Sequence, residues 1–107
     1  MSTTATFDKA DPATGEVIAQ YKNFSQDEVF TCVDSAHLAS LRWAEFGFTA
    51  RKRTLLKWAS YITKNHNEIA HLVASECGKP IGDAALEVSI SIDNLSWAAK
   101  HAEQIMR

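Results

Sequence analysis

The sequence predicts a mostly α-helical chain that opens with a β-hairpin and continues as three or four helices. Three observations predict it. From about residue 25 onward, apolar residues recur at three- and four-residue steps. The stretch "FSQDEV" at 24–29 carries a complete helix start. The first two dozen residues instead hold two β-favouring runs on either side of a turn sequence. These divide one domain into a hairpin segment, 1–24, and a helical segment, 25–107.

The hairpin runs are Thr4–Phe7 and Val17–Tyr21, joined through "DPATGE". Asp11 opens the turn, Pro12 fixes its φ, and Gly15 tolerates a positive φ. A lone hairpin is barely stable in water, so it should lie against another element. In the first helix Ser25 caps, Glu28 completes a capping box, and Phe24 can staple onto Val29. Its stripe is Val29, Val33, Ala36, Ser40 and Trp43, widened by Phe30, Leu41 and Ala44, and Gly47 ends it. A second helix starts near Thr49 with Arg51-Lys52-Arg53, a basic run that the positive helix N-terminus disfavours. That run reads as a solvated start, with outside partners as the alternative. Leu55, Leu56, Ala59, Ile62, His66, Ile69 and Val73 form the buried stripe, and "NHN" at 65–67 marks a break or kink.

The last stretch contains "VSISI", which alternates like a strand. The wider window overrules it, because Ile81, Ala85, Val88, Ile92, Leu95, Ala99, Ala102 and Met106 keep the helical step throughout. Leu86, Ile90 and Trp97 add a second apolar face, which predicts a helix covered on more than one side.

Composition narrows the class. The 107 residues are 46% hydrophobic and 22% charged, as in an ordinary folded protein. A net charge of -2 gives no basic surplus for nucleic acid. The apolar runs are too short for a membrane span, and the N-terminus lacks the pattern of a secretory leader. Cys32 and Cys77 lie far apart without a CxxC spacing, so a reducing cytoplasm is the expected compartment.

The chemistry candidates concentrate in "SECGKP" at 75–80. A phosphate loop needs the full G-x-x-x-x-G-K-[ST] frame after a strand, and here Pro80 follows the Gly-Lys pair and removes an amide. Gly78 instead fits a left-handed helix end, with Pro80 stopping that helix or opening the next. Lys79 would favour a thiolate on Cys77, but the helix C-terminus and Glu76 oppose one. Cys32 reads as a small buried hydrophobe. His37, His66, His71 and His101 form no metal pattern, and His66 and His71, five apart, point to different helix faces. No GxGxxG and no Ser-His-Asp or Cys-His grouping is present.

These segments, in this order, resemble the N-terminal part of aldehyde dehydrogenases. "DPATGEVIA" is similar to that family's N-P-A-T-G-E-x-I hairpin, with Asp11 where Asn is usual. "SQDEV" and "SAHLASLRWAE" resemble its first helix. "RKRTLLKWASYITKNHNEIAHLVASECGKPIGDAALEV" resembles the stretch that ends E-x-GKP…A…EV. The likeness covers 11–107, and "GKPIGDAALEV" with "WAAKHAEQIM" looks most like the succinate-semialdehyde branch.

The resemblance implies part of an α/β fold whose Rossmann core is absent here, so that 1–107 is an incomplete domain. It implies NAD or NADP as cofactor in the full-length family and none for this chain alone. In the family, a cysteine in a G-Q-x-C context attacks the aldehyde, an asparagine helps hold the oxyanion, and a glutamate in an E-L-G-G context activates water. All three would follow residue 107, so no catalytic or cofactor-binding residue is assigned and the chain alone is expected to be inactive. Glu87 and Ile90 correspond to positions beside the aldehyde tunnel, where plain helix packing is the competing role. Ala10 and Glu76 correspond to ligands of a structural monovalent cation in some members. The expected partner is the rest of the dehydrogenase polypeptide or a full-length relative, with no nucleic acid and no membrane. Alone, the chain is expected to self-associate. The alternative is a stand-alone helical interaction module built on the same scaffold.

Overall fold

A computed structural model describes residues 5–107. Its elements are β1 (Thr6–Ala10), β2 (Val17–Lys22), α1 (Gln26–Glu45), α2 (Phe48–Lys64), α3 (His66–Cys77) and α4 (Ile81–Met106). The expected start of the first strand at Thr4 lies outside the described residues.

β1 and β2 pair antiparallel from Thr6↔Lys22 to Ala10↔Val17, with a register shift between Lys9 and Ala10. The turn closes as its sequence dictates. The Asp11 carboxylate accepts from the amide of Ala13 at 2.7 Å, and Gly15, at φ 78°, donates to the Asp11 carbonyl at 2.7 Å. Phe7 and Tyr21 face each other across the strands, ring centroids 5.8 Å apart.

Ser25 caps α1 through a reciprocal box with Glu28, and Lys22 at the end of β2 also bonds the Glu28 carboxylate. α1 ends at Glu45, and Gly47 serves as the N-cap of α2. The basic run is not simply solvated. Arg51 reaches back to the end of α1, donating to the carbonyls of Trp43 at 3.1 Å and Ala44 at 2.8 Å. This guanidinium gives the Trp43 carbonyl, which already accepts from the Phe46 amide, a second donor and supplies one to the Ala44 carbonyl at the helix end, while Lys52 and Arg53 are exposed. The predicted break falls at Asn65, which separates α2 from α3. Gly78 ends α3 in the left-handed region at φ 66°, and Pro80 is the N-cap of α4.

α4 is the spine, packing along α2 and α3. Among the described residues, those that are buried are all small: Ala59, Ala70, Ala84, Val88 and Ala99. Alanines let helix axes approach closely, but each contributes little apolar area. The predicted stripe of α2 and α3 faces inward, with Ala59 buried and Leu55, Leu56, Ile62, His66, Ile69 and Val73 half-buried. Ala84, fully buried, is a core position that the three-and-four step did not single out.

Two burial expectations fail within this chain. Cys32 is exposed rather than buried, and Val29, Phe30, Val33 and Leu41 of the same helix are about half exposed. The second face of α4, Leu86, Ile90 and Trp97, is exposed as well. The shape gives the reason. The molecule measures 48 × 41 × 20 Å, a slab two helices thick. Its radius of gyration is 18.1 Å, against about 13 Å for a compact domain of this length. A slab has no interior for a second apolar face.

Candidate functional site

Two titratable pairs, Tyr21–Glu76 and Lys79–Glu87, lie where the hairpin meets the α3–α4 junction. The hairpin turn seats on the end of α3, and a Cβ added to Gly78 would lie 3.1 Å from the Pro12 Cβ and 3.3 Å from the Ala13 nitrogen. The left-handed φ and this close approach both require glycine. Two residues earlier, Glu76 accepts a hydrogen bond from the Tyr21 hydroxyl at 2.5 Å. That bond raises the phenol above its ordinary value of 10.0, with desolvation and the Glu76 charge adding to it.

Beyond Gly78, the Lys79 ammonium donates to the Glu87 carboxylate at 2.5 Å, the main reason its own ionisation is raised. Glu87 and Ile90 lie three residues apart in α4 and so share one of its faces, and both are exposed. Lys79 offsets the charge of Glu87, so that face presents an ion pair beside an apolar side chain. An open groove of about 310 Å³ runs alongside, with Asp11, His71, Ser75, Lys79 and Ile81 among its lining.

The two residues matched to a cation site are Ala10, at the end of β1, and Glu76, in the last turn of α3. One carboxylate and one backbone carbonyl are suitable hard donors. They are too few, because a hard cation takes about six or more oxygens, and Tyr21 already occupies one Glu76 oxygen. The residues present do not make a complete shell.

Elsewhere, His66 joins α3 to α4. Its Nε2 lies 3.1 Å from the Ala85 carbonyl and 3.0 Å from the Ser89 hydroxyl. A carbonyl can only accept, so Nε2 carries the proton. The sequence placed His66 in the buried stripe, but this clamp had no local signal because its partner lies 19 residues away. His101 stacks on Trp97 at 4.8 Å and bonds its carbonyl. An apolar hollow of about 190 Å³ lies between α2, α4 and the end of α1, lined by Trp43, Phe48, Leu55, Ala99 and Met106 with Arg51 at its edge. Both cysteines are exposed. Among the described residues, no three His, Cys, Asp or Glu side chains form a group that could hold a metal ion. No helix among them is long and apolar enough to cross a membrane.

Comparison with known proteins places these features in a larger frame. Residues 1–107 match the family model described as "Aldehyde dehydrogenase family". The chain is 31% identical over 100 residues to D-glyceraldehyde dehydrogenase (NADP(+)) of Thermoplasma acidophilum, covering 94% of this chain and 20% of that protein. It is 32% identical over 101 residues to a probable succinate-semialdehyde dehydrogenase [NADP(+)] of Sinorhizobium fredii, covering 92% and 20%. Among solved structures, lactaldehyde dehydrogenase from Escherichia coli superposes with a TM-score of 0.90 at 26% identity, over 96% of this chain and 22% of that one. Aldehyde dehydrogenase 21 from Physcomitrella patens, in complex with the reaction product succinate, gives 0.89 at 28% identity, over 98% and 22%. The chain thus spans about one fifth of the length of the relatives it matches.

Proposed function

The chain belongs to the aldehyde dehydrogenase family, and we propose that it supplies the amino-terminal scaffold of an NADP-linked dehydrogenase acting on a small carboxylate-bearing aldehyde such as succinate semialdehyde. The observation that carries this reading is the match along the whole chain, reaching 32% identity to a relative named for that substrate and for NADP(+). In this reading the nucleophile, the general base and the dinucleotide site belong to the remaining four fifths of the fold. The chain's own share is to hold α4 in place. The Lys79–Glu87 pair and Ile90 then form part of the wall past which the aldehyde approaches. Pairing with Lys79 suits that place, because an unpaired Glu87 carboxylate would repel an anionic substrate.

The alternative, a stand-alone interaction module, needs a core of its own. Four alanines and one valine are thin support for that.

The test compares two proteins. The purified 107-residue chain is expected to produce no NADPH from NADP and succinate semialdehyde. The same segment, in one polypeptide with the remainder of a family member, is expected to produce it, with Ile90→Ala changing KM more than kcat. Aldehyde-dependent NADPH formation by the 107 residues alone would overturn the reading, as would a complete protein that binds no dinucleotide.

A further inference from the structure

The Glu76 carboxylate, matched by resemblance to a cation ligand, is held here by a phenol. Tyr21 pairs with Phe7 in the hairpin register, and their rings pack at 5.8 Å. That contact steadies the phenol, whose hydroxyl reaches Glu76 Oε1 at 2.5 Å. An O–H donor on an ionised carboxylate takes a separation of about 2.5–2.7 Å, so the contact is a charge-assisted hydrogen bond. It is not the spacing of two ligands on one metal ion. Neighbouring oxygens of a six-coordinate hard cation, at bonds of about 2.3–2.6 Å, lie roughly 3.3–3.7 Å apart.

We propose that the Tyr21 hydroxyl takes the place of the monovalent cation that the resemblance implies at Ala10 and Glu76, tying the hairpin to the end of α3 without a metal ion. The O–H hydrogen points at Oε1, so a cation approaching that oxygen meets the positive end of a dipole and must displace the phenol. Glu76 Oε2 and the Ala10 carbonyl are then the donors left, two oxygens where a hard cation takes about six or more. The seam is also closed by direct contact, because the hairpin turn sits on α3 with Pro12 against the Gly78 position. Family membership is the premise here, and the substrate and cofactor proposed above play no part.

The experiment follows hydrogen exchange at the amides of β1 and β2 in sodium, potassium or tetramethylammonium chloride at equal ionic strength. Tetramethylammonium supplies the charge but cannot be coordinated at short range. Exchange in the 107-residue chain is expected to be the same in all three salts. Tyr21→Phe keeps the ring on Phe7 and removes only the hydroxyl, and it should speed exchange about tenfold in each salt. Glu76→Gln keeps an acceptor for the phenol but removes the charge that would hold a cation, so it should speed exchange less than Tyr21→Phe does. Both variants should keep the circular dichroism of the parent, because Tyr21 is exposed and Glu76 half-buried in the last turn of α3. The sodium NMR linewidth gives a direct readout and should be no broader with the parent than with Glu76→Ala. In one polypeptide with the remainder of a family member, which brings further oxygens, the segment should again be indifferent to the cation. Four results would each overturn the proposal. They are hairpin protection that falls when tetramethylammonium replaces sodium or potassium, a sodium line that the Glu76 carboxylate broadens, a Glu76→Gln variant looser than Tyr21→Phe, and a Tyr21→Phe variant as protected as the parent.

Discussion

The Tyr21 hydroxyl donates to the Glu76 carboxylate at 2.5 Å, joining β2 to the last turn of α3 across 55 residues of sequence. With the seating of Gly78 on Pro12, it fixes the hairpin on the helices. A two-stranded ribbon this short needs such an anchor.

The bond has a pH dependence of definite sign. Its donor is the neutral phenol, and the folded-state ionisation of Tyr21 is raised above 10.0, chiefly by the hydrogen bond to Glu76. Its stabilising contribution is therefore fully present below pH 10 and is lost as pH rises through the higher folded-state value. In a Tyr61→Phe background, which leaves Tyr21 as the single titrating phenol, ultraviolet titration should place its ionisation above the ordinary range. Glu76→Gln should lower it. An unchanged midpoint in that variant would mean that the bond is absent in solution.

Gly78 and Gly15 offer a paired test of the seating. Both have positive φ, but a Cβ at Gly15 meets nothing within 4 Å, whereas one at Gly78 meets Pro12 and Ala13. Gly15→Ala should cost only the left-handed penalty, about 1–2 kcal/mol. Gly78→Ala should cost more, and it alone should loosen the hairpin, as read by hydrogen exchange at Phe7 and Tyr21. Equal losses would show that the turn does not bear on α3.

Ser25→Ala should weaken α1 and little else. Removing such a cap costs about 1 kcal/mol of helix stability. Because α1 packs along no other helix, the loss should stay local, with faster amide exchange in α1 and unchanged exchange in α4. Glu28 adds an acid limb. Its carboxyl is held below its ordinary 4.5, first by the Lys22 hydrogen bond and then by the Ser25 amide. That support is present above pH 4.5 and is lost as pH falls through the lower folded-state value. Protection of the amides at the start of α1, relative to their intrinsic exchange rates, should therefore fall on acidification, and Glu28→Gln should abolish that dependence.

Ala84, with no exposed surface, sits in the cluster that joins α3 to α4 with Ala70 and Val88. Ala84→Leu should overfill this contact and cost about 1–3 kcal/mol, lowering the denaturant midpoint of the chain. Ala98→Leu, on the exposed side of the same helix, should be nearly neutral. A neutral Ala84→Leu would mean that the two helices are free to separate.

The sequence by itself determined the local elements. The hairpin turn, the Ser25–Glu28 box, the break at Asn65 and the left-handed Gly78 were legible because each depends on residues within a few positions of one another. The helical reading of "VSISI" held for the same reason, since the period extends over the whole of α4. The inward stripe of α2 and α3 was legible because its partner, α4, lies within this chain. Tertiary structure alone decided which apolar faces find a partner. α1 and the second face of α4 carry the same periodic pattern as the buried stripes, but a slab 20 Å thick covers one face of a helix and not two. Periodicity records that a face is apolar, and burial depends on what lies opposite. The same limit hid Tyr21 on Glu76, Arg51 on the end of α1 and His66 on Ala85. Each is a contact between elements, set by how the helices and hairpin are placed.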